Sequence, residues 1–208
     1  MRALVFGVLL SWSFVALQAQ SGTDTLKFEE DTHYVVVSDA KTPAPTVTEY
    51  FSLFCGHCLQ FEGILPDFKE ALPEGTTFQK SHVTYLPKDN ELVGEGMVRA
   101  FVTMEKLGKT EELSKAFFIH IHFEKKEIPN IAEIKNIFLA NGVSDEEFEK
   151  VYNDPEVISA ANAMSQIWLD KRVVSVPTMV VNGKYRINMG SVKNLNQLNS
   201  LVKYLLAL

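Results

Sequence analysis

Thr48-Glu49-Tyr50-Phe51-Ser52-Leu53-Phe54-Cys55-Gly56-His57-Cys58 reads as a buried strand that ends in a turn and opens a helix. Two cysteines stand three apart at that junction, and they are the only cysteines in the 208-residue sequence. At a helix start the first cysteine meets backbone N–H groups that have no partner inside the helix, together with the positive end of the helix dipole. Both favour a thiolate. The second cysteine lies under the same turn, where its sulfur can attack the first. His57 adds a cation or hydrogen-bond donor beside the first thiol, and Gly56 adds no charge and leaves the loop free. A stabilised thiolate at Cys55 means a stabilised dithiol form, and therefore an oxidising disulfide.

Two blander uses of the pair are weaker. A structural disulfide across so short a loop removes little entropy from the unfolded chain. A structural zinc site needs four ligands, whereas Cys55, Cys58 and one histidine supply three. His120 and His122 are spaced neither for one helical face nor as a ligand pair.

Working outward, Tyr34-Val35-Val36-Val37 is a β-branched run that predicts a short first strand. Pro43 and Pro45 interrupt the chain before a second strand, Thr46 to Phe54, which is apolar on both faces as a central strand covered by helices should be. Glu49 is the anomaly in it, and its apolar neighbours argue that it points inward. Beyond the cysteines, Cys58, Phe61, Glu62, Leu65 and Phe68 recur at helical spacing, with Pro66 expected to kink the helix. Leu72-Pro73-Glu74-Gly75 stops it, and Phe78 to Leu86 predicts a third strand carrying Lys80 and His82.

From Lys88 to about Val173 the period becomes helical and predicts five helices. The β pattern then returns as a hairpin, Thr178–Val181 and Lys184–Ile187, around Asn182-Gly183, which suits the positive φ angles of a tight turn. An amphipathic helix from Asn194 to Leu206 closes the chain. The layout is strand, strand, helix, strand, then a helical block, then strand, strand, helix: an α/β fold with a helical insertion.

Composition narrows the function. The net charge is −6 and the basic residues are spread along the chain, which argues against a nucleic-acid surface. There is no phosphate-binding P-loop, and Gly94-Glu95-Gly96 lacks the preceding strand that a dinucleotide site requires. At the start, Arg2, an apolar run from Ala3 to Leu17 and Ala19 form a signal-peptide pattern, so residues 1–19 are expected to be removed on export. An oxidising compartment follows from that reading.

Glu49 to Glu62, Leu72-Pro73-Glu74-Gly75 and Val176-Pro177-Thr178-Met179-Val180-Val181-Asn182-Gly183-Lys184-Tyr185 together resemble the DsbA family of periplasmic thiol:disulfide oxidoreductases. The resemblance runs from about residue 26 to the C-terminus. It implies a thioredoxin fold with an inserted α-helical subdomain, with residues 20–87 and 174–208 forming the thioredoxin-like part and 88–173 the insertion. It implies Cys55 as nucleophile, Cys58 as the buried partner, and Gly56 and His57 as the dipeptide that tunes them. Val176, Pro177 and Thr178 would form the cis-proline loop that binds substrate. Glu49 and Lys80 would be the buried acid and its lysine partner, with Glu62 a further nearby acid. A low thiol pKa is a known property of this family, and so an implication here. The implied partners are reduced, unfolded exported proteins and a DsbB-like membrane quinone oxidoreductase. The implied protein is a periplasmic monomer that needs no cofactor or metal. Between the cysteines the family's familiar dipeptide is Pro-His, whereas Gly-His occurs in protein disulfide isomerase. A disulfide isomerase or reductase of the same fold is therefore one alternative, and a peptide-binding chaperone is another.

Overall fold

The computed structural model describes residues 27–208; the expected signal peptide, residues 1–19, lies outside the described residues. A five-stranded sheet has the order β1-β5-β4-β2-β3, formed by β1 (Tyr34–Val36), β2 (Thr46–Phe51), β3 (Thr77–His82), β4 (Thr178–Val181) and β5 (Tyr185–Ile187). β2 and β3 run parallel and are joined through α1 (Gly56–Glu62) and α2 (Leu65–Glu70). The other pairings are antiparallel. Five α-helices intervene between β3 and β4: α3 (Glu91–Lys106), α4 (Thr110–Phe118), α5 (Ile131–Ala140), α6 (Asp145–Tyr152) and α7 (Pro155–Asp170). The chain closes with α8 (Leu195–Ala207).

Side-chain oxygens define where several of these helices begin. Asn90, Asn130, Ser144, Asp154 and Asn194 each accept a backbone N–H in the first turn, satisfying a donor that the helix leaves free. In the β4–β5 hairpin Asn182 and Gly183 take φ 52° and 62°, the two left-handed residues of a turn whose twist matches its strands.

The boundaries that differ by more than one residue from the sequence reading lie around the cysteine turn and β3. β2 ends at Phe51 rather than Phe54, because Ser52 turns the chain: its side chain accepts the Phe54 N–H and its carbonyl accepts the Cys55 N–H. β3 ends at His82 rather than Leu86. The helix after the cysteines is divided at Gly63–Ile64, and Pro66 sits in the first turn of α2, where a missing N–H leaves no bond unmade. The kink expected at Pro66 is thus a break upstream of it.

Every residue of β2 is buried, since the sheet is covered on both faces. Val47, Met179 and Val181 pack with Phe61, Phe68 and the α8 leucines. Tyr50 and Val180 face the other way, beside Trp168 of α7. Phe51, Leu53 and Cys58 join the core of the helical block through Phe101, Phe117 and Phe138. Glu49 is flanked on its strand face by Val47 and Phe51, at the seam between two apolar clusters.

Candidate active site

Cys55 caps α1. Its backbone is extended (φ −95°, ψ 115°), and its Sγ accepts the Cys58 N–H at 3.3 Å. As a thiol it also donates to the Val176 carbonyl, 3.3 Å away. The sulfur is half-buried, whereas Cys58 is fully buried. The fold treats the two thiols in opposite ways. The Cys58 S–H donates to Cys55, and with the amides of Cys58 and His57 and the His57 charge it pulls the Cys55 pKa down to about 6 against the opposing effect of burial. The Cys58 pKa is pushed far up, first by that same hydrogen bond to Cys55 and then by burial. His57 and Gly56 are exposed on the surface of the turn.

A loop from the far end of the chain reaches the sulfur. Val176-Pro177 is a cis peptide, and Thr178 opens β4 with its hydroxyl donating to the Ser175 carbonyl at 2.7 Å. Pro177 carries no N–H, so it leaves the Val176 carbonyl as the polar group facing Cys55.

The buried acid is near enough to Cys58 for its charge to act on that thiol. Glu49 is fully buried and pairs in register with Lys80 across the parallel β2–β3 ladder, which puts both side chains on one face of the sheet. Lys80 Nζ lies 3.4 Å from Glu49 Oε2 without hydrogen-bond alignment, so neither Glu49 oxygen has a hydrogen bond among the described residues. Burial pushes the Glu49 pKa up to about 7, outweighing the Lys80 charge that opposes it. Lys80 is shared: its ammonium also bonds Glu62 and rests 4.2 Å over the Phe51 ring. Lys80 and Glu62 form part of the wall of a groove of about 890 Å³ between α1–α2 and α4, together with Leu59, Leu65, Phe118 and Phe123. The structure therefore brings together Cys55, Val176 and Pro177 at the mouth of the site, and Cys58, Glu49, Lys80 and Glu62 at its floor.

Three residues with no part in the sequence-based site also stand here. His82 is fully buried, and its Nε2 accepts the Leu53 N–H at 3.0 Å while Nδ1 faces the Val83 carbonyl at 2.8 Å. An N–H donor on one side and a carbonyl on the other fix the tautomer: Nδ1 carries the proton. Burial lowers the His82 pKa to about 3, so the ring is neutral at physiological pH. His122 bonds the Leu53 carbonyl from the other side, 2.9 Å from its Nε2. Tyr85 has a buried hydroxyl without a partner among the described residues, and burial, then the nearby thiol charges, raise its pKa to about 12. His120, two residues from His122, turns elsewhere, to Glu133 at 3.6 Å.

Residues 46–203 match the family model described as a DSBA-like thioredoxin domain. The chain belongs to that family. It is 29% identical to the thiol:disulfide interchange protein DsbA of Escherichia coli K12, over 96% of this chain and 94% of that protein. It is 31% identical to the DsbA of Pectobacterium carotovorum, over 88% and 83% respectively. Among solved structures, a peptide complex of Proteus mirabilis DsbA superposes with a TM-score of 0.77 at 26% identity, covering 88% of this chain and all of the other. Pseudomonas aeruginosa DsbA superposes with a TM-score of 0.75 at 27% identity, covering 86% and 93%. Protein disulfide oxidoreduction is the activity that DSBA-family membership and the paired sulfurs carry, on a thioredoxin fold with a helical insertion.

Proposed function

We propose that this chain oxidises dithiols in newly exported proteins and is then reoxidised by a DsbB-like quinone oxidoreductase in the membrane. In this reading residues 1–19 direct export to the periplasm of a Gram-negative bacterium, residues 20–87 and 174–208 form the thioredoxin-like part, and residues 88–173 are inserted into it. The observation that carries the proposal is the asymmetry of the pair: a half-buried sulfur at a helix cap accepting the Cys58 N–H, and a buried partner sulfur three residues on.

A substrate thiolate attacks Cys55 Sγ of the Cys55–Cys58 disulfide. The Cys55–Cys58 bond breaks, a substrate–Cys55 disulfide forms, and Cys58 leaves as a thiolate that takes up a proton. A second substrate thiolate then attacks the substrate sulfur of that mixed disulfide and expels Cys55. The substrate is oxidised by two electrons and the protein reduced by two. Expulsion is favoured because Cys55 leaves as a low-pKa thiolate.

In this reading Glu49 gives Cys58 its proton and takes it back on reoxidation; its charge acts on that thiol, and its pKa of about 7 suits both directions near neutral pH. Lys80 and Glu62 hold Glu49's charge in check and link it to the groove. Once Cys55 ionises, the Val176 carbonyl loses its S–H donor and becomes an acceptor for a substrate backbone N–H, with Pro177 and Thr178 shaping the loop. The peptide bound non-covalently to the Proteus mirabilis relative supports a peptide substrate.

The test is the rate of thiol alkylation against pH for the reduced protein, together with oxidation of a reduced dithiol peptide by the disulfide form. A Cys55 midpoint near 6 with rapid peptide oxidation is the expected result. A midpoint at an ordinary thiol's value would point to a reductase or isomerase instead. Peptide binding that survives Cys55→Ser without any turnover would point to a chaperone.

A further inference from the structure

The peptide group that precedes the nucleophile is held by histidines on both sides. β2 stops at Phe51, so Leu53 has no ladder partner, yet it is fully buried and its backbone groups need bonds. The Leu53 N–H goes to His82 of β3, and the Leu53 carbonyl goes to His122 of the helical block. A carbonyl only accepts, so His122 Nε2 carries the proton in this bond and Nδ1 stays open.

A π-helical turn makes this reach possible. α4 runs on into residues Ile119–Phe123 with one extra residue in the turn, marked by the Glu124 N–H bonding the Ile119 carbonyl at 2.9 Å. Such a widened turn re-aims side chains and is often found at functional sites. Here it sends His120 toward Glu133 and His122 toward the cysteine turn. The His122 ring packs on Phe118, with ring centroids 5.8 Å apart. It also faces the exposed Gly56: a Cβ added to that glycine would lie 4.0 Å from ring atoms Cε1 and Nδ1. One side chain from the insertion therefore bonds the turn at Leu53, before Cys55, and stands within reach of a Cβ placed at Gly56, after it.

We propose that His122 is a positioning residue for thiol exchange: its bond to the Leu53 carbonyl holds the turn that presents Cys55, and so couples the helical insertion to the nucleophile. The inference rests on the oxidase reading above and concerns the same sulfur. Without the bond, the turn Ser52–Cys55 gains freedom, and the Cys55 Sγ loses its fixed alignment with the Cys58 N–H.

The experiment compares His122→Gln with His122→Asn. The glutamine amide nitrogen takes about the place of Nε2 and keeps the bond; the asparagine amide takes the place of Nδ1 and falls short. Three quantities are read: the alkylation midpoint of Cys55, the equilibrium constant against glutathione, and the melting temperature of each redox form. The Gln variant should match wild type. The Asn variant should show a midpoint raised by about one pH unit and an equilibrium about tenfold less oxidising, since one pKa unit is a factor of ten in thiolate stabilisation. Equal midpoints in the two variants would overturn the proposal, including the case where both redox forms of the Asn variant melt lower and nothing else changes. A wild-type midpoint at an ordinary thiol's value would be a different failure: it removes the oxidase reading and this inference with it.

Discussion

Cys55 and Cys58 are the same side chain three residues apart, and the molecule makes them into opposite reagents. At the mouth, Cys55 is half-buried, caps a helix, and collects hydrogen bonds to its anion. At the floor, Cys58 is fully buried, gives its own hydrogen to Cys55, and has the Glu49 carboxyl nearby. Residue type decides neither behaviour; the hydrogen bond between the two sulfurs, the depth of each and the helix start decide both. In the proposed reaction this difference sets the direction of chemistry, because the better leaving group is the more exposed sulfur.

The strongest way to break this comparison is to remove each sulfur in turn. Cys55→Ser should lower dithiol oxidation to the uncatalysed rate. Cys58→Ser should instead trap substrate on Cys55 as a mixed disulfide, visible as a stoichiometric mass increase. Equal behaviour of the two variants would show that the sulfurs are interchangeable.

A smaller effect separates floor from mouth. Glu49→Gln should slow release and re-formation of the Cys58 bond by about 10²-fold, the usual scale for losing a positioned proton carrier, and leave the alkylation midpoint of Cys55 in place. Stopped-flow reoxidation and alkylation read the two halves separately. The same variant tests the buried charge through stability. The folded-state pKa of Glu49 is raised from 4.5 to about 7. The folded chain therefore holds this proton more tightly than the unfolded chain does. Its advantage is full below pH 4.5 and is lost as pH rises through 7. A shift of about 2.5 units corresponds to about 3 kcal/mol. Denaturant titrations should show Glu49→Gln gaining about that much on wild type between pH 4.5 and pH 8.

At the mouth the sign reverses. The Cys55 pKa falls from 9.0 to about 6 in the reduced fold. Its contribution to stability is full above pH 9 and is lost as pH falls through 6, and the disulfide form has no such group. The melting temperature of the reduced protein should therefore rise relative to that of the oxidised protein between pH 6 and pH 9. A constant difference over that range would contradict a stabilised thiolate.

The smallest expected effect is at Gly56. It is the first residue of α1, where proline needs no N–H, and the space for a Cβ is open to ordinary contact with His122. The amides that favour the Cys55 thiolate belong to His57 and Cys58. Gly56→Pro should raise stability by about 0.4–1 kcal/mol through the unfolded chain and leave the alkylation midpoint unchanged. A shifted midpoint would mean that Gly56, and not only His57 and the helix cap, tunes the sulfur.

Much of this was readable in the sequence because the signals were local. The Cys-Gly-His-Cys stretch after a β run, the Asn182-Gly183 turn and the polar caps of the helices each act within a few residues. Glu49 stood out as one charge in an apolar strand. Other features depend on chain segments that meet only in space. His122 gave no signal because its partner is a backbone carbonyl 69 positions away, reached through a π turn that breaks the regular period. His82 is an acceptor for an N–H that the early end of β2 leaves free. The break at Gly63–Ile64 was masked by an apolar spacing that continues across it into α2.

The strand order has a consequence in time. β4 and β5 are among the last elements of the chain, yet they lie between β1 and β2, which are the first. While residues up to β3 are all that has emerged, β2 carries an open edge and Cys55 has no Val176 carbonyl to meet. The sheet closes only when the C-terminal hairpin slots between strands made long before it, a late and long-range event of the kind that slows folding. A chain halted before residue 176 would hold both cysteines but no finished site, so the protein becomes competent only after nearly all of it has been delivered.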